Sequence, residues 1–482
     1  MDIMRSAAAL VDPAAEQAAF EDIRFLSPVK VFGETPFEAE VEVVRDRAEG
    51  PPAFSARTFS WHFDKQGRRI GAARVHHRLR LTTVTAAADP APDSVDWKSS
   101  VWIPHEDLYS VFFHGPSFKF LDRVIMDPDG KEVRFTLRDL VCAGELFKTW
   151  LPAAVEAVLQ AAAALGVESH GIMALPIALE RVAVHRPEAA PASGRLTLVR
   201  ESLWEAAEGR KVLTFDGAVY DRQGQAILTL KGVEMAERDV SRGFTGRVVE
   251  DVQSVDEVAK RMEEAPETYL KSTLTADEVE EFKAKAVPKR AGEWIAGRVA
   301  LKRSVQRLLV ISGGEAPPLN SISIVADEYG KPTAAPVGGA GRPFGLVSLS
   351  HSNGLALAAA ANADKFEGLG VDIEKVESRS EAWVKDCFTD NEIQAAEKAD
   401  DRSLELTGIW SLKEAALKAL GAGLRFDLKD INAERVDAGG RAILEFRNEA
   451  ARYLEQNSTG PIEATVEARA DMVIARALIR KA

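Results

Sequence analysis

The chain repeats itself across its first half. A repeat restricts the possible folds more than composition does, because similar stretches must build similar units. Phe59 to Val75 reads FSWHFDKQGRRIGAARV, and Phe215 to Val233 reads FDGAVYDRQGQAILTLKGV. Each is a pair of strand-like runs around a turn, Asp64-Lys65-Gln66-Gly67 in one and Asp221-Arg222-Gln223-Gly224 in the other. The turns lie 157 residues apart, and an Ala-Ala-Ala-Leu run at Ala7 to Leu10 recurs 155 residues later at Ala162 to Leu165. Both runs precede an apolar strand, Ile23 to Phe25 and Val182 to Val184.

Leu151 to Leu165 reads as a helix. Pro152 stands at its start, where a missing N–H does no harm, and Gly166 is expected to close it. Ala, Val and Leu occupy almost every face, so the helix should be buried nearly all round. A long buried helix followed by long antiparallel strands predicts a sheet wrapped around a central helix. By the offset, the first copy's helix begins near or before Met1, and the material matching His105 to Trp150 is absent from that copy. The expectation is a chain that starts inside a repeat.

A length of 482 residues predicts two to four domains. Sixty-one basic against 74 acidic residues leave a net charge of -13, which argues against general binding of nucleic acid or anionic membrane. Any anionic ligand must then be met by a local cluster of cations. Cys142 and Cys387 lie 245 positions apart, which offers neither a disulfide framework nor a zinc cluster and suits a reducing compartment. Met1 to Val11 carries Asp2 and Arg5 and lacks an apolar signal core. Leu151 to Val167 contains Glu156 and Gln160 and falls short of the roughly 20 residues a bilayer span needs. The expectation is a soluble cytoplasmic protein without nucleic-acid or membrane partners.

Two segments of the first half resemble the dehydratase region of polyketide and polyunsaturated-fatty-acid synthases, a double hotdog. His114-Gly115-Pro116-Ser117-Phe118 resembles that family's Y/H-G-P-x-F segment, and Leu151 to Gln160 resembles its H-P-x-x-x-D-x-x-x-Q helix. In the family a His of the first hotdog and an Asp of the second carry the elimination. Here the Asp position is Glu156, and the family's His segment would precede the first helix, where this sequence has no residues. Taken by itself, His114 before Gly-Pro is more often a turn residue than a catalyst. Glu156 inside an apolar helix is harder to dismiss, since a buried carboxylate is costly unless paired or protonated. The two stand as a dehydratase-like vestige.

From Glu237 to Lys271 the strand pattern stops, and Asp251 to Lys285 holds ten acidic against five basic residues. The stretch reads as a solvated connector. Thr275-Ala276-Asp277-Glu278 then forms a capping box, and a new domain is expected near residue 270.

Further on, Leu369-Gly370-Val371-Asp372-Ile373-Glu374 reads as a strand whose period of two puts Asp372 and Glu374 on one face. About forty residues later, Trp410-Ser411-Leu412-Lys413-Glu414-Ala415-Ala416-Leu417-Lys418 reads as a helix ending at Gly421, with Trp410, Lys413, Leu417 and Leu420 on one stripe and Glu414 and Lys418 a turn apart. A third carboxylate brought to the strand pair makes an all-oxygen site suited to Mg2+, and lysines beside it neutralise phosphate. Each segment alone reads more readily as a surface ion pair or an exposed strand edge.

Together, Gly-Val-Asp-Ile-Glu followed by Trp-Ser-x-Lys-Glu-Ala-x-x-Lys resembles the paired signatures of the 4'-phosphopantetheinyl transferases, with the spacing of the Sfp type. Glu293 to Arg298 with Lys302, Tyr329-Gly330-Lys331-Pro332, Ser348 to Ser352 and Phe388-Thr389-Asp390-Asn391-Glu392 extend the likeness over about residues 270 to 482. The resemblance implies a pseudo-twofold α+β domain with coenzyme A in a cleft. By that resemblance Asp372, Glu374 and Glu414 hold Mg2+, Lys413 and Lys418 lie near the phosphates, and Arg298, Lys302, Lys331, Ser350 and His351 grip the adenosine phosphate end. Glu414, with Lys418, is then expected to carry the catalysis, as base for the serine of an acyl carrier protein.

The fold class expected is therefore α+β: a partial first hotdog over 1–95, a second over 96–240, an acidic linker over 241–270 and a transferase over 271–482, with halves near 271–365 and 366–482. Homodimerisation through the hotdogs is a further expectation. Two other readings stand beside transfer: a dehydratase fragment whose catalytic His lies upstream, and a carrier-binding scaffold without catalysis. Lys289 to Arg303, with five basic residues against Glu293, is where the cation cluster is expected.

Overall fold

The computed structural model describes residues 2–10, 19–26, 39–46, 53–63, 66, 68–82, 100–112, 114, 118–127, 129–138, 149–204, 209–241, 243–244, 246–285, 287–338, 341–423, 425–435, 440–457 and 460–481. Most of the Asp64–Gly67 turn, residues 115–117 of the His-Gly-Pro segment, and Cys142 lie outside the described residues. The chain divides into two compact units, Met1–Asp93 with Leu108–Phe244, and Ser94–Asp107 with Thr245–Ala482.

The first unit bears out the repeat. Helix α1 (Asp2–Ala9) precedes β1 (Ala19–Phe25), β2 (Glu40–Arg45), β3 (Ala53–Phe63) and β4 (Arg69–Thr82). After β5 (Ser100–Pro104), which belongs to the second unit, come helix α2 (His105–Val111), β6 (Leu121–Met126) and β7 (Glu132–Leu137). Helix α3 (Leu151–His170) is followed by β8 (Ile172–Val184), β9 (Ser193–Trp204), β10 (Arg210–Tyr220) and β11 (Ala226–Val240). The strand order β8-β11-β10-β9 in the second copy matches β1-β4-β3-β2 in the first, and antiparallel β1–β8 pairing joins them. Among the described residues the second copy alone carries β6 and β7, with β7 paired to β9. These are the helix-on-sheet layers of a double hotdog.

Helix α3 packs against β6 through β11, and 83% of its most apolar window is buried. By length and composition it could cross a membrane, but here it is the core of a sheet-wrapped layer. Its end differs from expectation. The helix runs through Gly166, and the closing residue is Gly171 at φ 64°, whose N–H reaches the Gly166 carbonyl. The left-handed backbone, and not the first glycine met, decides where the helix stops.

The second unit holds two helix-on-sheet layers. In the first, β5 pairs with β12 (Val248–Ser254), and the sheet continues through β16 (Leu355–Ala361) to β15 (Leu346–Ser352). Helices α4 (Val255–Glu264), α5 (Pro266–Thr273) and α6 (Ala276–Lys283) lead to α7 (Pro288–Ile311), which lies across β16, β12 and β15. A hairpin, β13 (Ile322–Ala326) with β14 (Pro332–Pro336), accompanies it. In the second layer β17 (Phe366–Lys375) opens a five-stranded sheet with β18 (Ile431–Arg435), β19 (Arg441–Phe446), β20 (Ile462–Arg469) and β21 (Met472–Arg480). After the short helices α8 (Glu381–Cys387) and α9 (Asp390–Lys398), helix α10 (Arg402–Leu420) covers β17 and β21, and α11 (Asn448–Asn457) lies against β19.

The expected acidic linker over 241–270 is corrected. Val248 and Val249 are fully buried within β12, and Val258 of α4 joins the core beneath α7. The ten acidic residues that suggested solvation either line exposed helix faces or, like Asp251 and Glu278, are buried, and so is Glu250 just before them: Arg476 of β21 donates to both Glu250 oxygens, one at 2.8 Å. The first layer of this unit thus begins at β12, not near residue 271, and it borrows β5 from upstream.

Candidate active site

Strand β17 and helix α10 build the site. The alternation expected for β17 holds: Ile373 is buried on one face while Asp372 and Glu374 share the other. Gly370 is required where the strand meets the helix, because a Cβ there would stand 1.8 Å from the Ala415 carbonyl oxygen. Helix α10 starts earlier than Trp410, capped by Asp401, and ends at Gly421 with φ 65°, as expected.

Asp372 is almost fully buried and well satisfied. Its Oδ1 accepts from Ser350 Oγ at 2.8 Å and Lys418 Nζ at 2.8 Å, and its Oδ2 from Ser411 Oγ at 2.7 Å. Glu374 accepts from Trp410 Nε1 at 3.2 Å and lies 3.7 Å from Arg379. Burial first, then the Asp372 charge, pushes the carboxyls of Glu374 and Glu414 above the usual range. Glu414 and Lys418 line a cavity of about 220 Å³ together with Tyr329, Lys331 and Gly421.

Three acids crowding one another's charge, with Glu414 on the cavity wall, fit a hard dication chemically, since oxygen donors suit Mg2+ and a bound ion relieves their repulsion. As they stand, with Lys418 on Asp372, no three acid, imidazole or thiol groups among the described residues are gathered closely enough to enclose an ion.

Several expected phosphate ligands are placed elsewhere. Lys302 is fully buried, ion-paired with Glu278 and donating to the Thr273 carbonyl at 2.9 Å. Lys413 is fully buried, 2.7 Å from Glu392 and donating to the Cys387 carbonyl at 3.0 Å. Burial lowers both ammonium pKa values, and the two glutamates hold their charge in place. Arg298 lies 3.5 Å from Glu278 and Glu281 with its guanidinium over the Trp294 ring. These three side chains are engaged inside the fold, so the Lys289 to Arg303 cluster keeps only Lys289, Arg290 and Arg303 on the surface. Ser350 donates to Asp372 rather than facing a phosphate, and His351 meets the Glu293 carbonyl oxygen through Nε2 at 2.9 Å, its ring against Gly297 of α7. Lys331 alone of that set lines the cavity.

The paired lysines reveal what motif reading missed. Glu278 closes the Thr275 capping box of α6, and Glu392 closes the Thr389 capping box of α9. Each glutamate also accepts a strand N–H, from Ile324 at 3.2 Å and from Ala433 at 2.7 Å. The two layers of the unit therefore carry the same device, the pseudo-twofold made visible in side chains.

In the first unit, His114 Nε2 and Glu156 Oε1 are 3.1 Å apart at a cavity of about 380 Å³ whose walls include Phe112, Leu159, Met173 and Met235. Gln160 donates to Glu156 at 3.0 Å and to the Phe118 carbonyl at 2.9 Å, and Tyr109 donates to Gln160 at 2.5 Å. His114 thus has the partner that the sequence did not identify.

Clustered carboxylates with a lysine, two of these residues on a cavity wall, suit chemistry on a phosphate ester. The comparisons carry this to a family. A family model of the 4'-phosphopantetheinyl transferase superfamily matches residues 368–469, and one of the polyketide synthase dehydratase N-terminal domain matches residues 105–240. The holo-[acyl-carrier-protein] synthase of Clostridium kluyveri is 30% identical over 23% of this chain and 88% of its own length. The 4'-phosphopantetheinyl transferase psf-1 of Bacillus pumilus is 26% identical over 36% of this chain and 72% of its own. Among solved structures, a trans-AT polyketide synthase dehydratase domain from Brevibacillus brevis aligns at 18% identity and TM-score 0.38, over 49% of this chain and 83% of that one. The chain belongs to the 4'-phosphopantetheinyl transferase superfamily, and its first half is similar to polyketide synthase dehydratase domains.

Proposed function

We propose that this chain transfers the 4'-phosphopantetheine arm of coenzyme A to a serine of an apo acyl carrier protein, within polyketide or fatty-acid synthesis. The observation that carries the reading is the 220 Å³ cavity with Glu414 and Lys418 on its wall, beside Asp372 and Glu374. Asp372, Glu374 and Glu414 would hold Mg2+, which when bound supplies positive charge to the pyrophosphate.

The carrier's serine Oγ forms a bond to the phosphorus that bears the pantetheine arm, and the bond from that phosphorus to 3',5'-adenosine bisphosphate breaks. Glu414, on the cavity wall, takes the serine proton. Lys418 brings positive charge to the transferring group. Ser350 and Ser411 hold Asp372 in orientation.

The chain, an apo carrier, coenzyme A and Mg2+ should yield a carrier heavier by the pantetheine arm in an intact mass spectrum. Glu414→Gln should slow the transfer by about 10²- to 10⁴-fold. No transfer with any divalent metal overturns the reading.

A second reading concerns the first unit and rests on the His114–Glu156 pair at its apolar cavity. On this reading the pair removes water from a 3-hydroxyacyl thioester, one member taking the Cα proton and the other protonating the departing hydroxyl. The ultraviolet absorbance of the conjugated enoyl thioester reports the product. His114→Ala and Glu156→Gln should each abolish it, and activity surviving in both excludes the pair.

A further inference from the structure

Two cations already stand against the acid cluster. Asp372 pairs with Lys418, and Glu374 faces Arg379, on the stretch between β17 and α8. Both Glu374 oxygens are engaged. Oε1 accepts from Trp410 Nε1 at 3.2 Å, while Oε2 accepts from Ser352 Oγ at 3.4 Å and lies 3.7 Å from Arg379 Nη2.

Arg379 is itself held. Its Nη1 is 2.7 Å from Glu377 Oε1, and its guanidinium lies 5.0 Å from the centroid of the Trp383 ring of α8. That ring in turn meets Trp410 at 4.8 Å between centroids, so the arginine, the two indoles and Glu374 close a circle. With an acid and an aromatic face of its own, Arg379 stays beside Glu374 whatever else Glu374 binds.

The partners of Glu374 differ in what they do to an incoming cation. A carboxylate offers about four lone-pair sites, so the neutral Trp410 and Ser352 can share it with a metal ion. Arg379 shares it only at a cost, because its charge draws on the same oxygen and repels a dication arriving there.

We propose that Arg379 is a fixed counter-ion that competes with a divalent metal for Glu374, so that the acid cluster holds the ion alone more weakly than its three carboxylates otherwise would. This rests on the transferase reading above, in which Asp372, Glu374 and Glu414 are the metal ligands, and it names a residue that no expected motif contains.

The test is titration of the full chain with Mn2+, in the absence of coenzyme A, read from the electron paramagnetic resonance signal of the free ion. Mn2+ stands in for Mg2+ because both take oxygen ligands. Arg379→Gln should bind the ion about threefold or more tightly than wild type. Arg379→Lys keeps the charge and should stay within about twofold of wild type. Lys375→Gln removes the same charge one residue from Glu374, but strand alternation turns Lys375 to the other face, where it lies 3.8 Å from Asp471, so it too should stay within about twofold. An Arg379→Gln variant that gains less than that, or an Arg379→Lys or Lys375→Gln variant that gains as much, overturns the role of Arg379 while the transferase reading stands. A wild-type chain that holds no Mn2+ and transfers nothing overturns both.

Discussion

Lys413 shows how a motif residue can be recognised and still be misassigned. It sits beside Glu414 in the signature helix, which suggests phosphate chemistry, yet it shares a stripe with Trp410, Leu417 and Leu420. A lysine on an apolar stripe must find a buried partner, and the partner, Glu392, is twenty-one residues upstream in another helix. The stripe was legible in the sequence; the partner was not, because pairing across elements leaves no local period. Removing one member of a fully buried pair strands the other's charge, so Lys413→Met should destabilise by about 3–5 kcal/mol in urea denaturation. Adding Glu392→Leu should recover much of that loss.

Tyr109 offers a pH prediction at the same scale. Its phenol donates to Gln160 and accepts from the Leu121 N–H at 3.0 Å, and burial pushes its pKa well up. A raised folded value means the phenol's stabilising share is full below the ordinary tyrosine pKa of about 10 and is lost as pH rises through the folded value. Tyr109→Phe should cost about 1–3 kcal/mol near neutrality, because it leaves buried partners unsatisfied, and should flatten the alkaline loss of stability.

Among elements, α3 and β17 make opposite points about glycine. Gly166 was read as a helix stop because glycine commonly is one, but its Cβ position faces only ordinary contacts at 3.5–3.6 Å. Gly166→Ala should be neutral or stabilise by up to about 1 kcal/mol, while Gly171→Ala, at φ 64°, should cost about 1–2 kcal/mol. Melting of the two variants separates them. Gly370→Ala would force α10 off β17 at the Ala415 carbonyl, so it should lower stability by about 1–3 kcal/mol and reduce transfer as well. Strand and helix types in this region followed from local period and caps. Which glycine is conformational and which is a close approach depends on neighbours far away in sequence.

For the whole molecule, two units with their own internal packing predict two calorimetric transitions. Coenzyme A with Mg2+ at about 100 times its dissociation constant should stabilise one of them by about 2.7 kcal/mol and leave the other in place. Lys413→Met should lower that same transition, and Tyr109→Phe the other one. The repeat, the order of the motifs and the α+β character were readable because each is local or periodic. The boundary at 241–270 was not, because composition records how acidic Glu250 makes its segment and cannot record that Arg476, 226 residues away, buries it.

The strand β5 has a practical consequence for anyone who would cut the gene. Ser94–Asp107 lies upstream of most of the dehydratase-like sequence yet belongs to the transferase unit, where β5 pairs with β12 and Asp107 receives Arg480. A fragment starting at residue 245 would begin with an open sheet edge and a stranded arginine, and should express poorly or self-associate. The transferase is therefore not a cassette that can be lifted out at its apparent start. Its coding sequence is interleaved with that of its neighbour, and any exchange of one unit should carry both together.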